Sequence, residues 1–280
     1  MDAVIYSNQD PAGLNIASKL REKILFKKSG LEYEEIIVEE GLINGRRVYL
    51  VETGENIINF QMQDIIRRVD SIIFASKHAS QTGIPVLTTH PPGNFSTADF
   101  GGEPETLAIS NPQGMKKALK KMCELNTILS KGYRVSYEVT HHGPTFPKPT
   151  MFVEVGGSPA QWKDIEAADI VSHAIIEVLS KEFISGEISI GVGGGHYAPS
   201  FTQITLEKDF TIGHIIPKYK LDNIKREVFV KTVNSNLGVC KNVIIDWKGV
   251  PGRARGEIVK WSRELGLNII KTSDLLSNLL

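Results

Sequence analysis

The sequence predicts an α/β fold built on a mixed, mainly parallel sheet. Three observations carry this. Short apolar runs of strand length alternate with longer amphipathic stretches along most of the chain, the signature of strand–helix–strand units. Asn44-Gly45 joins two strand-like runs near the start, which marks a tight antiparallel hairpin. No low-complexity linker or internal repeat interrupts the chain, so its 280 residues, 41% hydrophobic, read as one large domain over 1–280 with at most a small inserted lobe.

The elements follow in order. Val4-Ile5-Tyr6 is a short buried strand. Asp10-Pro11 supplies an N-cap and a Pro at the first helical position, and Ile16, Leu20 and Ile24 stripe the helix behind it. Residues 33–38 and 47–51 are the hairpin strands, and residues 57–68 fit a helix. Ser71 to Ala75 and Pro85 to Thr88 are buried strands. Asn111-Pro112 opens a helix to about Leu129. Tyr133 to Val139 and Met151 to Val155 are further strands. The longest helix is expected from Asp164 to Phe183, with Ile165, Ala168, Val171, Ile175 and Val178 on one face. Ile188 to Val192 is the next strand. Two last helices, 222–235 and 256–265, flank a strand at Val243 to Asp246.

Composition narrows the function classes. No apolar run of about 18 residues exists, so no transmembrane helix is expected. Met1 to Asp10 has no signal-peptide pattern. Cys123 and Cys240 have no close cysteine partner, which points to free thiols, a reducing compartment and a cytoplasmic location. Net charge is zero, yet residues 214–280 hold 12 Lys and Arg against 6 Asp and Glu. Such asymmetry creates a local basic surface suited to a polyanion. Lys116, Lys117, Lys120 and Lys121 form a second basic run on the 111–129 helix.

Five of the seven histidines fall just past, or close beyond, a predicted strand: His78, His90, His141, His142 and His196. Ligand sites in open α/β sheets form beyond the carboxyl ends of strands, so the position predicts a shared site. Glu154 is a charge inside an otherwise apolar strand and needs a partner there, as a metal ligand or a general base. Glu138, in an alternating strand, is expected to be solvated. Gly191-Val192-Gly193-Gly194-Gly195 follows a strand but leads into Tyr197-Ala198-Pro199 rather than a helix, and it lacks the Lys-Ser/Thr of a phosphate loop. No nucleotide cofactor is therefore expected. The glycines instead suit close approach of backbone N–H groups to an oxyanion. No G-x-S-x-G, C-x-x-C or H-E-x-x-H occurs.

Several segments together resemble the archaeal and plant type of D-aminoacyl-tRNA deacylase. They are residues 74–80 around Lys77-His78, Leu87 to Phe95 with His90-Pro91-Pro92-Gly93-Asn94, Thr140-His141-His142-Gly143-Pro144-Thr145, Phe152 to Ser158 through Gln161-Trp162, Gly191 to Pro199, and Ile212-Gly213-His214-Ile215. The chain departs from the family pattern at Lys77, where arginine is expected, and at Gly157, where serine is. The resemblance implies a three-layer α/β/α fold like that of phosphorylases and peptidyl-tRNA hydrolases. It also implies hydrolysis of the ester between a D-amino acid and the terminal adenosine of tRNA, and zinc as the metal. On this reading Glu154, His141, His142 and His196 are the expected catalytic groups, and His78, His90, His142 and Glu154 the expected metal ligands. Lys77, Asn94, Gly194 and Gly195 are expected to bind substrate. Lys116, Lys120, Lys225, Arg226, Arg253 and Arg255 are expected to meet tRNA. Charged tRNA is the expected partner, no membrane is, and a monomer is favoured. The residues alone leave open a metal-dependent peptidase or amidohydrolase, a non-catalytic tRNA-binding module, and a metal-free hydrolysis.

Overall fold

The computed structural model describes residues 1–79, 83–180, 182 and 184–276. Ser80, in the first family-like segment, and Phe183, the expected end of the longest helix, lie outside them. The chain groups into two units of similar size. The first comprises residues 1–89, 117–135 and 150–183, and the second residues 90–116, 136–149 and 184–280.

In the first unit, β1 (Asp2–Ser7) is buried along its length, as a Val-Ile-Tyr run requires of a central strand. Asp10 accepts from the N–H groups of Ala12 and Gly13 and caps α1 (Pro11–Lys23), whose Ile16 and Leu20 face the core. After the two-residue β2 (Lys27–Lys28), β3 (Ile36–Ile43) and β4 (Arg46–Thr53) form the expected hairpin. Its Asn44 and Gly45 both take positive φ, 48° and 74°, the geometry that this dipeptide tolerates and most residues do not. The single helix expected over 57–68 is broken. A 3₁₀ turn at Ile57–Asn59 gives way at Phe60, which is extended with its ring in the core, before α2 (Gln63–Arg68). Burial of that ring outweighs helical continuity.

β5 (Ser71–Ala79) runs further than its apolar core suggests. β6 (Val86–His90) follows, then α3 (Pro112–Ile128), β7 (Arg134–Tyr137) and β8 (Thr150–Gly157). The short α4 (Pro159–Trp162) precedes α5 (Ile165–Leu179), which Asp164 caps. The eight-stranded sheet has the order β2-β3-β4-β1-β5-β8-β6-β7. Its β1–β4, β1–β5 and β5–β8 pairs are parallel, so the sheet is mixed and mainly parallel, as the alternation predicts.

The second unit has a four-stranded sheet of its own, in which all pairs are parallel. β9 (Glu187–Val192) is followed, against the expectation of no helix after the glycine run, by α6 (Pro199–Glu207), which Pro199 opens because its missing N–H is not needed at a first helical position. Then come β10 (Phe210–Ile216), a 3₁₀ turn at Lys218–Asn223 and α7 (Arg226–Asn234). β11 (Asn242–Ile245), α8 (Gly252–Glu264), β12 (Asn268–Lys271) and α9 (Thr272–Leu276) complete it. The strand order is β10-β9-β11-β12. Ile190, Val192, Ile216, Val243, Phe229 and Trp261 pack one core around these elements, each worth about 1.5–3 kcal/mol on full burial. That core fixes the carboxyl ends of β9 and β10, from which site residues emerge. No described helix is long and apolar enough to cross a membrane. Both cysteines are free thiols, and burial raises Cys240 to about 11.

Candidate active site

The second unit collects four of the five strand-end histidines. His90 ends β6, and His141 and His142 follow a short extended segment after β7. His196 follows the glycine loop after β9. Backbone hydrogen bonds hold these turns together. Val139 N–H donates to the His196 carbonyl at 3.0 Å, Thr140 N–H to Ile215 at 3.1 Å and Gly93 N–H to His142 at 2.7 Å. His142 has φ of +43°, uncommon for a side chain of its size and found where surrounding contacts impose it. One such contact is next door. A Cβ on Gly143 would lie 2.7 Å from Gly102 Cα, so two backbone segments meet there with room only for hydrogen.

His90, His141 and His142 each offer a ring nitrogen, and these atoms lie within 4.8 Å of one another. Their ring centroids are 4.3 Å apart for His90–His141, 4.9 Å for His90–His142 and 4.3 Å for His141–His142. Each Nδ1 faces a backbone carbonyl: Pro91 at 3.3 Å, Val139 at 2.8 Å and Gly143 at 2.6 Å. A carbonyl oxygen only accepts, so Nδ1 carries the proton, and in the neutral ring Nε2 carries the lone pair. Three imidazoles grouped in this way are a donor set that can hold a metal ion.

Glu138 is fully buried, with Oε2 at 3.0 Å from His196 Nε2 and 3.4 Å from His141 Nε2. Burial holds the His141 proton affinity well below the usual histidine range, and the charges of His142, His90 and His196 add to this. His141 Nε2 thus faces the same carboxylate oxygen that His196 Nε2 meets. His196, partly exposed, presents its Nε2 to the carboxylate as a donor, which leaves Nδ1 as the basic nitrogen. Behind this group sits the fully buried His214, whose Nε2–H donates to Ala108 O at 2.9 Å. Its Nδ1 accepts from the Thr140 hydroxyl at 3.0 Å, and burial lowers it to about 4. A neutral His214 thus fixes the residue before His141.

A cavity of about 290 Å³ opens beside the cluster, lined by His141, His142, His196 and Thr140 together with Asn94, Phe95, Phe100, Tyr219 and Lys220. In the first unit, Glu154 has the partners that its burial demands. Ser76 stands opposite it in the β5–β8 register and donates at 2.6 Å, Thr88 donates at 3.4 Å, and His78 Nδ1 lies 3.8 Å away.

The family model for D-aminoacyl-tRNA deacylase matches residues 65–270. A protein of Pyrococcus furiosus called D-aminoacyl-tRNA deacylase is 36% identical over 284 residues, spanning 97% of this chain and all of that protein. One of Archaeoglobus fulgidus with the same name is 34% identical over 277 residues, 97% of this chain and 96% of that one. The chain belongs to the D-aminoacyl-tRNA deacylase family. A crystal structure of a conserved protein of unknown function has the same fold at a TM-score of 0.91, with 32% identity, over 99% of this chain and 97% of that one.

Within this deacylase-family chain, several expected residues stand differently from their sequence reading. His78 lies inside β5 rather than beyond it, because the strand continues to Ala79. The described three-histidine group of the second unit includes His141, expected as a catalytic group, while His78 and Glu154 pair with each other in the first. Glu138, expected to be solvated, is buried: alternation already fails at the end of β7, where Ser136 and Tyr137 are both buried and Glu138 follows them. Lys77 stacks over Trp162 at 5.1 Å, with its N–H on Asp10. Asn94 donates to the carbonyls of Gly101 and Glu103 and closes the loop along the cavity. Gly194 and Gly195 are in the loop before His196, where Gly194 accepts from Lys218 N–H.

The basic residues divide. Lys116 is buried, its ammonium donating to the carbonyls of Ser185 and Lys208, so it offers no charge to a phosphate, whereas Lys120 is exposed. Lys225 pairs with Glu105 at 2.6 Å and Arg226 with Glu264 at 3.1 Å. Arg255 donates to the Trp247 carbonyl and stacks on that ring. Arg253 and Lys248 are exposed.

Proposed function

We propose that this chain hydrolyses the ester between a D-amino acid and the terminal adenosine of tRNA, releasing both, and that the reaction takes place at the histidine cluster of its second unit. The observation that carries the assignment to this cluster is the grouping of three carbonyl-oriented imidazoles and the Glu138–His196 pair beside one cavity, which His141, His142 and His196 line. Family membership supports the substrate and the reaction class.

The donor set of His90, His141 and His142 fits zinc, whose usual catalytic arrangement is three protein ligands with one open position. A zinc ion held there would act as a Lewis acid toward the ester. The chain's own groups then divide the work. His196 takes at Nδ1 the proton of the water that attacks the ester carbonyl and returns it to the ribose oxygen as the carbon–oxygen bond breaks, while Glu138 holds the ring in place. We assign stabilisation of the developing oxyanion to the N–H groups of Gly194 and Gly195, in the loop that precedes His196. Lys248 and Arg253 meet phosphates without reading bases. Lys225 and Arg226, engaged with Glu105 and Glu264, contribute less.

The test offers D- and L-aminoacyl-tRNA to the protein with and without chelator, alongside elemental analysis. The expected result is release of D-amino acids by a zinc-containing protein, abolished by chelation. Full activity in metal-free protein rejects zinc and retains the His196–Glu138 base. No release from D-aminoacyl-tRNA rejects the reading.

A further inference from the structure

We propose that Phe100 and Tyr219 form a stacking subsite for the terminal adenine of tRNA at the histidine cavity. This rests on the reading above and adds how the substrate's nucleoside end is held. Both rings line the cavity, yet they are 68% and 54% exposed, so neither serves as core. Each is hung from a turn that carries a site residue. The Phe100 carbonyl accepts from Gly143 N–H at 2.9 Å, directly after His142, and Lys218 N–H, one residue before Tyr219, donates to Gly194 at 3.1 Å. Lys220 Nζ donates to Ser96 Oγ at 2.7 Å and ties the Tyr219 turn to the loop that bears Phe100. Two exposed aromatic side chains are thereby fixed in register with the reacting groups. The phenol of Tyr219 is raised by partial burial and by the charge of Glu138, which places it within that residue's field.

The occupant follows from the chemistry. A volume of about 290 Å³ is at the small end of ligand pockets and suits one planar ring system. Adenine is planar, and it ends every charged tRNA whatever the amino acid. Stacking on aromatic rings needs only a π-face. Asp99, on the same cavity, supplies an acceptor for the exocyclic amine.

The experiment compares D-tyrosyl-adenosine with D-tyrosine ethyl ester as substrates for wild type, Phe100→Leu, Tyr219→Leu and the double variant, and follows AMP binding by saturation-transfer NMR. In each single variant the ratio of kcat/KM for the adenosyl ester to that for the ethyl ester should fall about 5- to 150-fold. AMP binding should weaken in parallel, and Tyr219→Phe should restore both. An unchanged ratio, whether because both esters lose equally or because neither does, overturns the subsite. An equal loss assigns the rings to the amino-acid side chain or to folding. If wild type binds AMP through these residues but releases no D-amino acid from either ester or from tRNA, the subsite stands and the proposed hydrolysis fails.

Discussion

Gly143→Ala is the substitution for which the geometry gives the sharpest number. The added Cβ would sit 2.7 Å from Gly102 Cα and closer still to Gly102 N and Gly101 C. All three are backbone atoms, so no rotamer change relieves the contact. Restoring a carbon separation of about 3.5 Å requires the two segments to part by about 1 Å. Overpacking of this kind costs about 1–3 kcal/mol, or a fall in Tm of several degrees at 2–4 °C per kcal/mol. The displacement falls on the turn that carries His142, whose Nδ1–H is bonded to the Gly143 carbonyl, and on the Gly143–Phe100 hydrogen bond. A misplacement of about 1 Å in a catalytic group costs about 10²-fold. The assay is kcat/KM for D-tyrosyl-tRNA at a temperature where circular dichroism shows the variant folded. Gly30→Ala, where no atom lies within 4 Å, is the control. A Gly143→Ala protein with wild-type kcat/KM would refute the claim that this close approach positions the histidines.

Burial depresses His214 to about 4 against about 6.5 in an unfolded chain, so between these values the unfolded state binds the extra proton. Stability is then full above about pH 6.5 and declines as pH falls to about 4, by an amount of order 3 kcal/mol; urea titrations at pH 7, 5.5 and 4.5 should show this slope, and His214→Gln should flatten it. Charge reversal at Lys248 and Arg253 should raise KM for charged tRNA and reduce the log–log salt slope by about 0.7–0.9 for each phosphate contact removed. Lys116→Met should instead lower stability by about 2–3 kcal/mol and leave the slope as it was, because its ammonium serves two carbonyls in the interior.

Much of the site was legible because strand ends are legible. Four apolar runs each closed on a histidine or a glycine loop, and the second unit brings His90, His141, His142 and His196 together. The Asn44-Gly45 hairpin turn and the cap at Asp10 were equally local signals, and both are present in the structure. The misreadings share a cause: a periodicity was carried beyond the element that supports it, or stopped short. Glu138 follows Ser136 and Tyr137, which are both buried, so alternation had already ceased to mark a solvent face there. His78 stands inside a strand that runs past its apolar core. The lysine run of α3 shows charge at helical spacing, but nothing in that spacing reveals the carbonyls of Ser185 and Lys208 that draw Lys116 inward. Phe100 and Tyr219 lie in irregular segments, where no periodic signal exists. The break at Phe60 depends on tertiary burial outweighing helix continuity.

Single-turnover deacylation of D-tyrosyl-tRNA by Glu138→Gln shows whether the Glu138-centred histidine cluster performs the hydrolysis. The amide keeps the shape of the side chain and removes the charge that holds His196 at 3.0 Å. With the hydrolysis assigned to this cluster, the rate falls about 10²- to 10⁴-fold, while tRNA binding and the folded circular dichroism spectrum are retained. A Glu138→Gln protein that releases D-tyrosine at the wild-type rate would contradict that assignment.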